Sequence, residues 1–416
     1  MKSRSFQATP FITRQMLSLL RSKSLGASFG FAFAGAAFTF GNLLLARELP
    51  AAAFGQLALA VAIYNVCICL APWGIDQVLL RRRLEPGSRL FLRAFVPCSI
   101  VAVAAVGGIV AVYGFPVRAA LLLGAAIFGG GLTIAAGMGL RSHGWMMLAI
   151  AVTNVGSWAL LISGASGFIV SWTSVVPPMT ILAVANLLFA AISWIAFIRH
   201  CGLNGEKDDA VPPGEALSLV VAVAAGALLV QVERFVIPQV LGFQALATFA
   251  VVASVAIFPF RLLRSGSGFA LTPRLRAATD RPTRFRLLAS EGKALAITFL
   301  IGTVLVLALA PFVASVFTDG RYQLERLLIL AACFNGAAKL LEGLPHSAVV
   351  ACGTAVEIRH LSWMSWFVIA ATVAGSWLGA RWGLAGLMCG SAAGCLIGSI
   401  PGALLARKVL VRGFVD

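Results

Sequence analysis

Twelve apolar segments, each long enough to cross a lipid bilayer, run along this chain, and the connections between them alternate sharply in positive charge. Of the 32 Lys and Arg residues, 25 fall in connections on the side of the N-terminus and 5 in those on the opposite side. Only Arg234 and Lys339 lie well inside apolar segments. Cytoplasmic loops of membrane proteins carry the excess of Lys and Arg. The chain is therefore expected to start inside, cross twelve times and end inside. A spanning helix needs about 20 apolar residues. On that measure the spans fall near 25–46, 54–76, 91–113, 117–139, 145–163, 174–197, 216–238, 243–263, 291–314, 323–350, 361–380 and 384–406. Helices rather than strands follow from the length of the runs and from the need to satisfy every backbone polar group within lipid.

Composition agrees. The chain is 60% hydrophobic and 11% charged, with a mean hydropathy of +0.95, more apolar surface than a soluble fold can hide. The formal charge of +17 suggests nucleic acid at first sight. Topology explains it better, because basic residues are held near anionic cytoplasmic headgroups and no nucleic-acid motif is present. Residues 1–24 carry Lys2, Arg4, Arg14, Arg21 and Lys23 around Phe11, Ile12, Met16, Leu19 and Leu20, the pattern of a short interfacial helix. The eight cysteines form no CxxC, and the four histidines (143, 200, 346 and 360) are scattered, so neither a metal site nor another cofactor is expected.

One linker stands out. Residues 199–215 hold Gly202, Gly205, Glu206, Lys207, Asp208, Asp209, Pro212, Pro213 and Gly214, with six spans on either side. This predicts an N-lobe over 25–198 and a C-lobe over 216–416, joined on the cytoplasmic side. The halves also align weakly at an offset of 192, which sets Phe54-Gly55 on Leu246-Ala247, Gly74 on Gly266 and Arg82 on Arg274. Two six-span halves of the same orientation make a parallel repeat, as in several carrier folds. Glycine-rich spans permit close helix approach, and prolines 72, 238, 259 and 345 are candidate bends.

Charge inside the membrane marks the candidate site. Asn335, Lys339, Glu342 and His346 are spaced four, three and four apart and share one helix face. Insertion scales set the cost of a mid-helix Lys or Asp at about 3 kcal/mol, so this stripe is expected to face protein or water. Two readings are open: Lys339 pairs with Glu342 one turn away as a packing device, or Lys339 meets an anion in a water-filled cavity while Glu342 keeps it charged. Gln231, Glu233 and Arg234 fall near the outer half of span 7. Arg234 either snorkels to the outer headgroups or reaches the mouth of a cavity with Glu233. Asp76, at the end of span 2, is placed to pair with Arg81 or Arg82, a cytoplasmic gate or headgroup contact. No P-loop, HExxH, GxSxG or Asp-rich metal motif is found.

The segment LLARELPAAAFGQLALAVAIYNVCICLAPWGIDQVLLRR over 44–82 resembles the opening of Wzx-type polysaccharide flippases. Its Phe54-Gly55 pair, Gly74 and the Arg81 to Arg83 cluster carry the likeness. QVERFVIPQVLGFQALATFAVV over 231–252 and FTDGRYQLERLLILAACFNGAAKLL over 317–341 echo it. The family usually has Asp where Glu233 stands, and its cationic cavity residues vary, so Lys339 is not carried over by motif. The resemblance implies the multidrug/oligosaccharidyl-lipid/polysaccharide exporter superfamily. That means two six-helix lobes around a central cavity in the bacterial inner membrane. The cargo would be an undecaprenyl-diphosphate-linked oligosaccharide, with a polysaccharide polymerase and chain-length machinery as possible partners besides the bilayer. The alternative on the same fold is a cation-coupled drug or metabolite antiporter using Glu233 and Glu342. A membrane polymerase or ligase is disfavoured, because the longest charged outer loop runs only from Thr318 to Glu325.

Overall fold

The computed structural model describes residues 23–82, 88–202, 213–278 and 280–412, and every regular element among them is helical. Before the linker come α1 (Lys23–Glu48), α2 (Ala51–Leu70), α3 (Ile75–Arg82), α4 (Ser88–Tyr113), α5 (Val117–Ser142), α6 (Met146–Thr153), α7 (Val155–Gly167) and α8 (Val176–Cys201). After it come α9 (Pro213–Val240), α10 (Gly242–Val252), α11 (Phe258–Ala277), α12 (Arg281–Phe317), α13 (Arg326–Cys352), α14 (Ala355–Gly379) and α15 (Gly383–Arg412). The interfacial helix expected over residues 1–24 falls outside the described residues, apart from Lys23 and Ser24, which open α1.

Among the described residues ten helical stretches are long and apolar enough to cross a membrane, and the bent pair α6 and α7 makes an eleventh. The last of the ten covers 57 residues, about 85 Å if straight at 1.5 Å per residue, against a hydrocarbon core of about 30 Å. It is a hairpin. A Cβ added at Gly386 would meet the Gly379 carbonyl oxygen at 2.4 Å, one at Gly390 the Gly375 oxygen at 2.1 Å, and one at Gly394 the Ala371 oxygen at 2.2 Å. Those contacts are symmetric about the tight turn at Ala380–Trp382, so α14 and α15 are antiparallel arms pressed backbone to backbone. Each arm counts as a crossing, which gives twelve.

Several expected spans differ in detail. Span 5 is not straight: α6 and α7 meet at 50°. At the bend the Asn154 Nδ2 donates to the Ile150 carbonyl at 2.8 Å and the Thr153 hydroxyl donates to that of Ala149 at 2.8 Å. Such side-chain bonds compete with the helical ladder and bend it. Span 2, expected to run to residue 76, ends as regular helix at Leu70. Pro72 supplies no donor, and Trp73 (φ 50°) and Gly74 (φ 80°) then turn the chain through the left-handed region before α3 resumes. Span 9 is longer than hydropathy suggests. α12 has 37 residues, about 55 Å, so its basic first turns extend past the apolar core. Asp280 caps it, accepting from the Thr283 amide at 2.8 Å.

The helices before the linker pack chiefly on one another, as do those after it. The repeat is visible in the early helices: α2 and α10 start 191 residues apart, and α4 and α12 start 193 apart, bracketing the offset of 192. The main joint between the halves is α2 against α9 and α10. Gly55 lies so close to the Phe243 carbonyl that a Cβ would sit 2.0 Å from its oxygen, and one on Gly74 would sit 2.2 Å from that of Ala216. The helix ends beside residues 199–215 form the linker end of the molecule and the opposite ones its distal end. At the distal end Arg47 approaches Asp319 at 3.8 Å, the Tyr113 hydroxyl donates to the Phe235 carbonyl at 3.1 Å, and the rings of Phe54 and Tyr322 meet edge to face. Outward rows such as Val103 and Val112 on α4, and Leu300, Val304 and Phe312 on α12, are apolar surface suited to lipid.

Candidate functional site

In the half after the linker, one cluster of buried ionic side chains is built by α9, α11, α13 and α15; Arg284 and Glu357 are also buried but lie outside it, on the Ala278 carbonyl and on Arg412. At the centre of the cluster is Glu233 on α9, with no exposed surface. Its Oε2 accepts from Lys339 Nζ at 2.7 Å. Its Oε1 accepts from Asn335 Nδ2 at 2.9 Å and from the Ser391 hydroxyl at 2.5 Å. Asn335 and Lys339 are one turn apart on α13, so the helix presents both to the same carboxylate. Burying a carboxylate costs several kcal/mol; hydrogen bonds to a charged group return about 1.5–3 kcal/mol each, and three are made here.

The stripe Asn335, Lys339, Glu342 and His346 is a single face, and its first three members are buried. The pairing within it is not the one expected. Lys339 does not pair with Glu342. Glu342 instead holds Arg264 of α11, with Nη2 to Oε2 at 2.5 Å. The reason is energetic: a pair within one helix is worth about 0.2–0.5 kcal/mol, and each partner finds a stronger, buried, charge-assisted bond on a neighbouring helix. Arg234 does not snorkel either. It is 2% exposed, and its Nε and Nη1 have no hydrogen-bond partner. Glu233 and Arg234 point about 100° apart, yet both are buried, because α9 is flanked by α2, α10 and α14.

Beside this cluster lies a cavity of roughly 470 Å³, lined by Gly226 and Val230 of α9, Ile257, Phe260, Arg261 and Arg264 around the start of α11, and Gly336, Lys339, Leu340, Gly343, His346 and Ser347 of α13. Among the described residues three full cations face it and no carboxylate does. Arg261 donates from Nη2 to the Val230 carbonyl at 3.1 Å. Its Nε has no partner, and among the described residues neither it nor Arg234 forms an ion pair. Four cations (Arg234, Arg261, Arg264 and Lys339) thus share two carboxylates (Glu233 and Glu342). Such a surplus of positive charge lies in a low dielectric, where it acts strongly, and its chemistry suits an anion better than a cation.

Arg261, Arg264 and Ser391 are missing from the sequence-derived candidates. Arg261 and Arg264 read as the start of a basic connection, because they follow an apolar run. The structure inserts a π turn at Ala253–Ile257 just before Pro259, and π turns often mark functional positions. One extra residue rotates everything after it by about 100°, and that carries both arginines onto the cavity. Their i, i+3 spacing after a proline is the signal the sequence held.

Asp76 does not join this cluster. It lies on α3 in the other half, 3% exposed. Its Oδ2 accepts from Gln77 Nε2 at 2.7 Å, and its Oδ1 has no partner. The expected pairing with Arg81 or Arg82 falls on side chains outside the described residues. The other buried polar side chains described in that half are neutral; the Tyr64 hydroxyl donates to Asn186 Oδ1 at 2.7 Å, and Asn42, Thr133 and Ser193 donate to backbone carbonyls of their own helices.

Twelve crossings in two packed halves define a multi-pass all-α membrane protein. No family model matches the sequence, and no curated protein matches it. Among solved structures the fold is similar to the inward-facing conformation of a multidrug resistance MATE family transporter of the MOP superfamily: TM-score 0.65, 16% identity, over 91% of this chain and 95% of that one. It is equally similar to the lipid II flippase MurJ in an inward closed conformation: TM-score 0.65, 12% identity, over 94% of this chain and 88% of that one. A third is a MOP superfamily transporter from Pyrococcus furiosus described as having a binding pocket of reversed polarity: TM-score 0.61, 14% identity, over 93% of this chain and 94% of that one. The chain has the fold of the MOP superfamily transporters.

Proposed function

We propose that this protein is a flippase that carries an undecaprenyl-diphosphate-linked oligosaccharide from the cytoplasmic to the periplasmic leaflet of the bacterial inner membrane, for O-antigen, capsule or exopolysaccharide synthesis. The observation that carries this reading is the cation surplus at the cavity: Arg261, Arg264 and Lys339 on its wall, with Glu233 and Glu342 already held by Lys339 and Arg264. A diphosphate headgroup needs fixed positive charge to leave water, whereas its polyprenyl tail can stay in lipid. The Wzx-like segments at 44–82, 231–252 and 317–341 support the same cargo. In this reading the linker end is cytoplasmic, the lobes are 25–198 and 216–416, and they move against each other about the joint at α2. Polymerase and chain-length proteins would act on the delivered product.

A cation-coupled drug or metabolite antiporter is the second reading, favoured by the fold shared with a multidrug resistance MATE family transporter. Coupling at the cavity itself would need a carboxylate there that is free to bind a cation. Both buried acids of the cavity region are engaged, so the anionic cargo fits better. The two separate in a deletion strain. The flippase reading expects lipid-linked repeat units trapped on the cytoplasmic face and surface polysaccharide lost. Normal surface polymer in a strain with no second flippase would refute it.

A further inference from the structure

The buried carboxyl of Asp76 has no part in the cationic cavity, and its surroundings suit a different task. It sits in the first turn of α3, directly after the break at Trp73 and Gly74. Its Oδ1 is buried without a partner, and Gln77 alone donates a side-chain hydrogen bond to Oδ2. Among the described residues no ion pair reaches it. The groups facing it from α2 and α4 are the thiols of Cys69 and Cys98. Further along α4, Arg93 lines a groove with Ile75, Ala216 and Leu217. α5 carries charge only at its ends, Arg118 in its first turn and Arg141 in its last, and the first acid or base among the described side chains of α9 is Glu233. The break itself is a contact between the halves, with Gly74 pressed on the Ala216 carbonyl.

We infer that Asp76 is a proton-binding site that latches the joint between the halves: neutral while the α3 break is packed on α9, ionised when the joint opens to water. The chemistry is that of a lone carboxyl. An isolated buried carboxylate costs several kcal/mol unless paired, and a proton removes that cost. The start of α3 and the Gln77 amide partly favour the ion, so the site is poised rather than locked. A proton fits better than a metal cation, which needs several oxygen ligands, because the neighbours here are thiols and apolar groups. α3 lies outside the apolar spans, and burial pushes its Asp76 carboxyl from 3.8 up to about 6. The sign follows. Protonation favours the packed joint fully below the ordinary value, and that stabilisation is lost as pH rises through about 6. The inference concerns the coupling ion and stands whatever the cargo is.

The test needs no cargo. Full-length protein in lipid vesicles is titrated by infrared difference spectroscopy, alongside Asp76→Asn and Asp76→Glu. A protonated-carboxyl band titrating near 6 is expected in the native protein, absent from Asp76→Asn and shifted in Asp76→Glu. A band unchanged in Asp76→Asn would overturn the inference. Hydrogen exchange over residues 71–80 and 216–225, corrected for the intrinsic rate, gives a second readout that does not depend on the band. Protection is expected to be several-fold higher one pH unit below that midpoint than one unit above it, and pH-independent in Asp76→Asn. Equal protection at both pH values in the native protein would also overturn it.

Discussion

Removing the Lys339 ammonium tests how the buried cluster is held together. In Lys339→Met the side-chain volume survives but the bond of 2.7 Å to Glu233 is lost. Breaking a buried pair by deleting one partner costs about 3–5 kcal/mol, because the other charge stays buried without compensation. Glu233 keeps its bonds from Asn335 and Ser391, which places this variant near the lower figure, about 3 kcal/mol. That corresponds to roughly 150-fold in the folding equilibrium, at 1.4 kcal/mol per factor of ten. Glu233→Gln should cost more, since it leaves Lys339, Arg234 and Arg261 close together with one carboxylate fewer. Glu233→Leu with Lys339→Met should recover much of the loss, because apolar replacement of a buried pair is often neutral. The assay is thermal unfolding of detergent-solubilised protein followed by fluorescence-detected gel filtration. Single variants should unfold on the order of 5 °C lower, and the double variant closer to native. Strictly additive losses in the double variant would refute the pairing.

Other consequences follow from the same geometry. Arg261→Gln should reduce transport at least tenfold with little change in unfolding temperature, because Arg261 carries no ion pair; a matching loss of stability would contradict this. Arg264→Gln should impair both, since it strands Glu342 at 7% exposure. Gly390→Val should abolish the folded protein in gel filtration, because a Cβ there would sit 2.1 Å from the Gly375 oxygen; normal yield would contradict the hairpin. A short thiol cross-linker between Arg47→Cys and Asp319→Cys should block transport reversibly if the distal contacts have to part. Reporter fusions at Gly205 and Asp280 should read cytoplasmic and one at Asp319 periplasmic.

The architecture was legible because its cause is crude: lipid demands long apolar helices, and the sorting of Lys and Arg orders them. The stripe from Asn335 to His346 was legible for the same kind of reason, since charge is costly there and its spacing is helical. The partners were not. Lys339 and Glu342 look like a pair along one helix, and only the packing of α9, α11 and α15 around α13 gives each a better bond. Arg261 and Arg264 were hidden by the π turn, whose extra residue shifts helical phase without altering hydropathy. The bend at Asn154 and the glycine contacts of α14 with α15 depend on backbone geometry that composition does not carry.

The most direct test of the central claim is transport by purified protein in vesicles. A polyprenyl-diphosphate-linked oligosaccharide would be compared with a neutral glycolipid of the same tail, using native protein and Arg261→Gln. A cationic cavity predicts movement of the diphosphate lipid, little movement of the neutral one, and loss of the difference in Arg261→Gln. Equal transport of both lipids by the native protein, or undiminished selectivity in the variant, would contradict it.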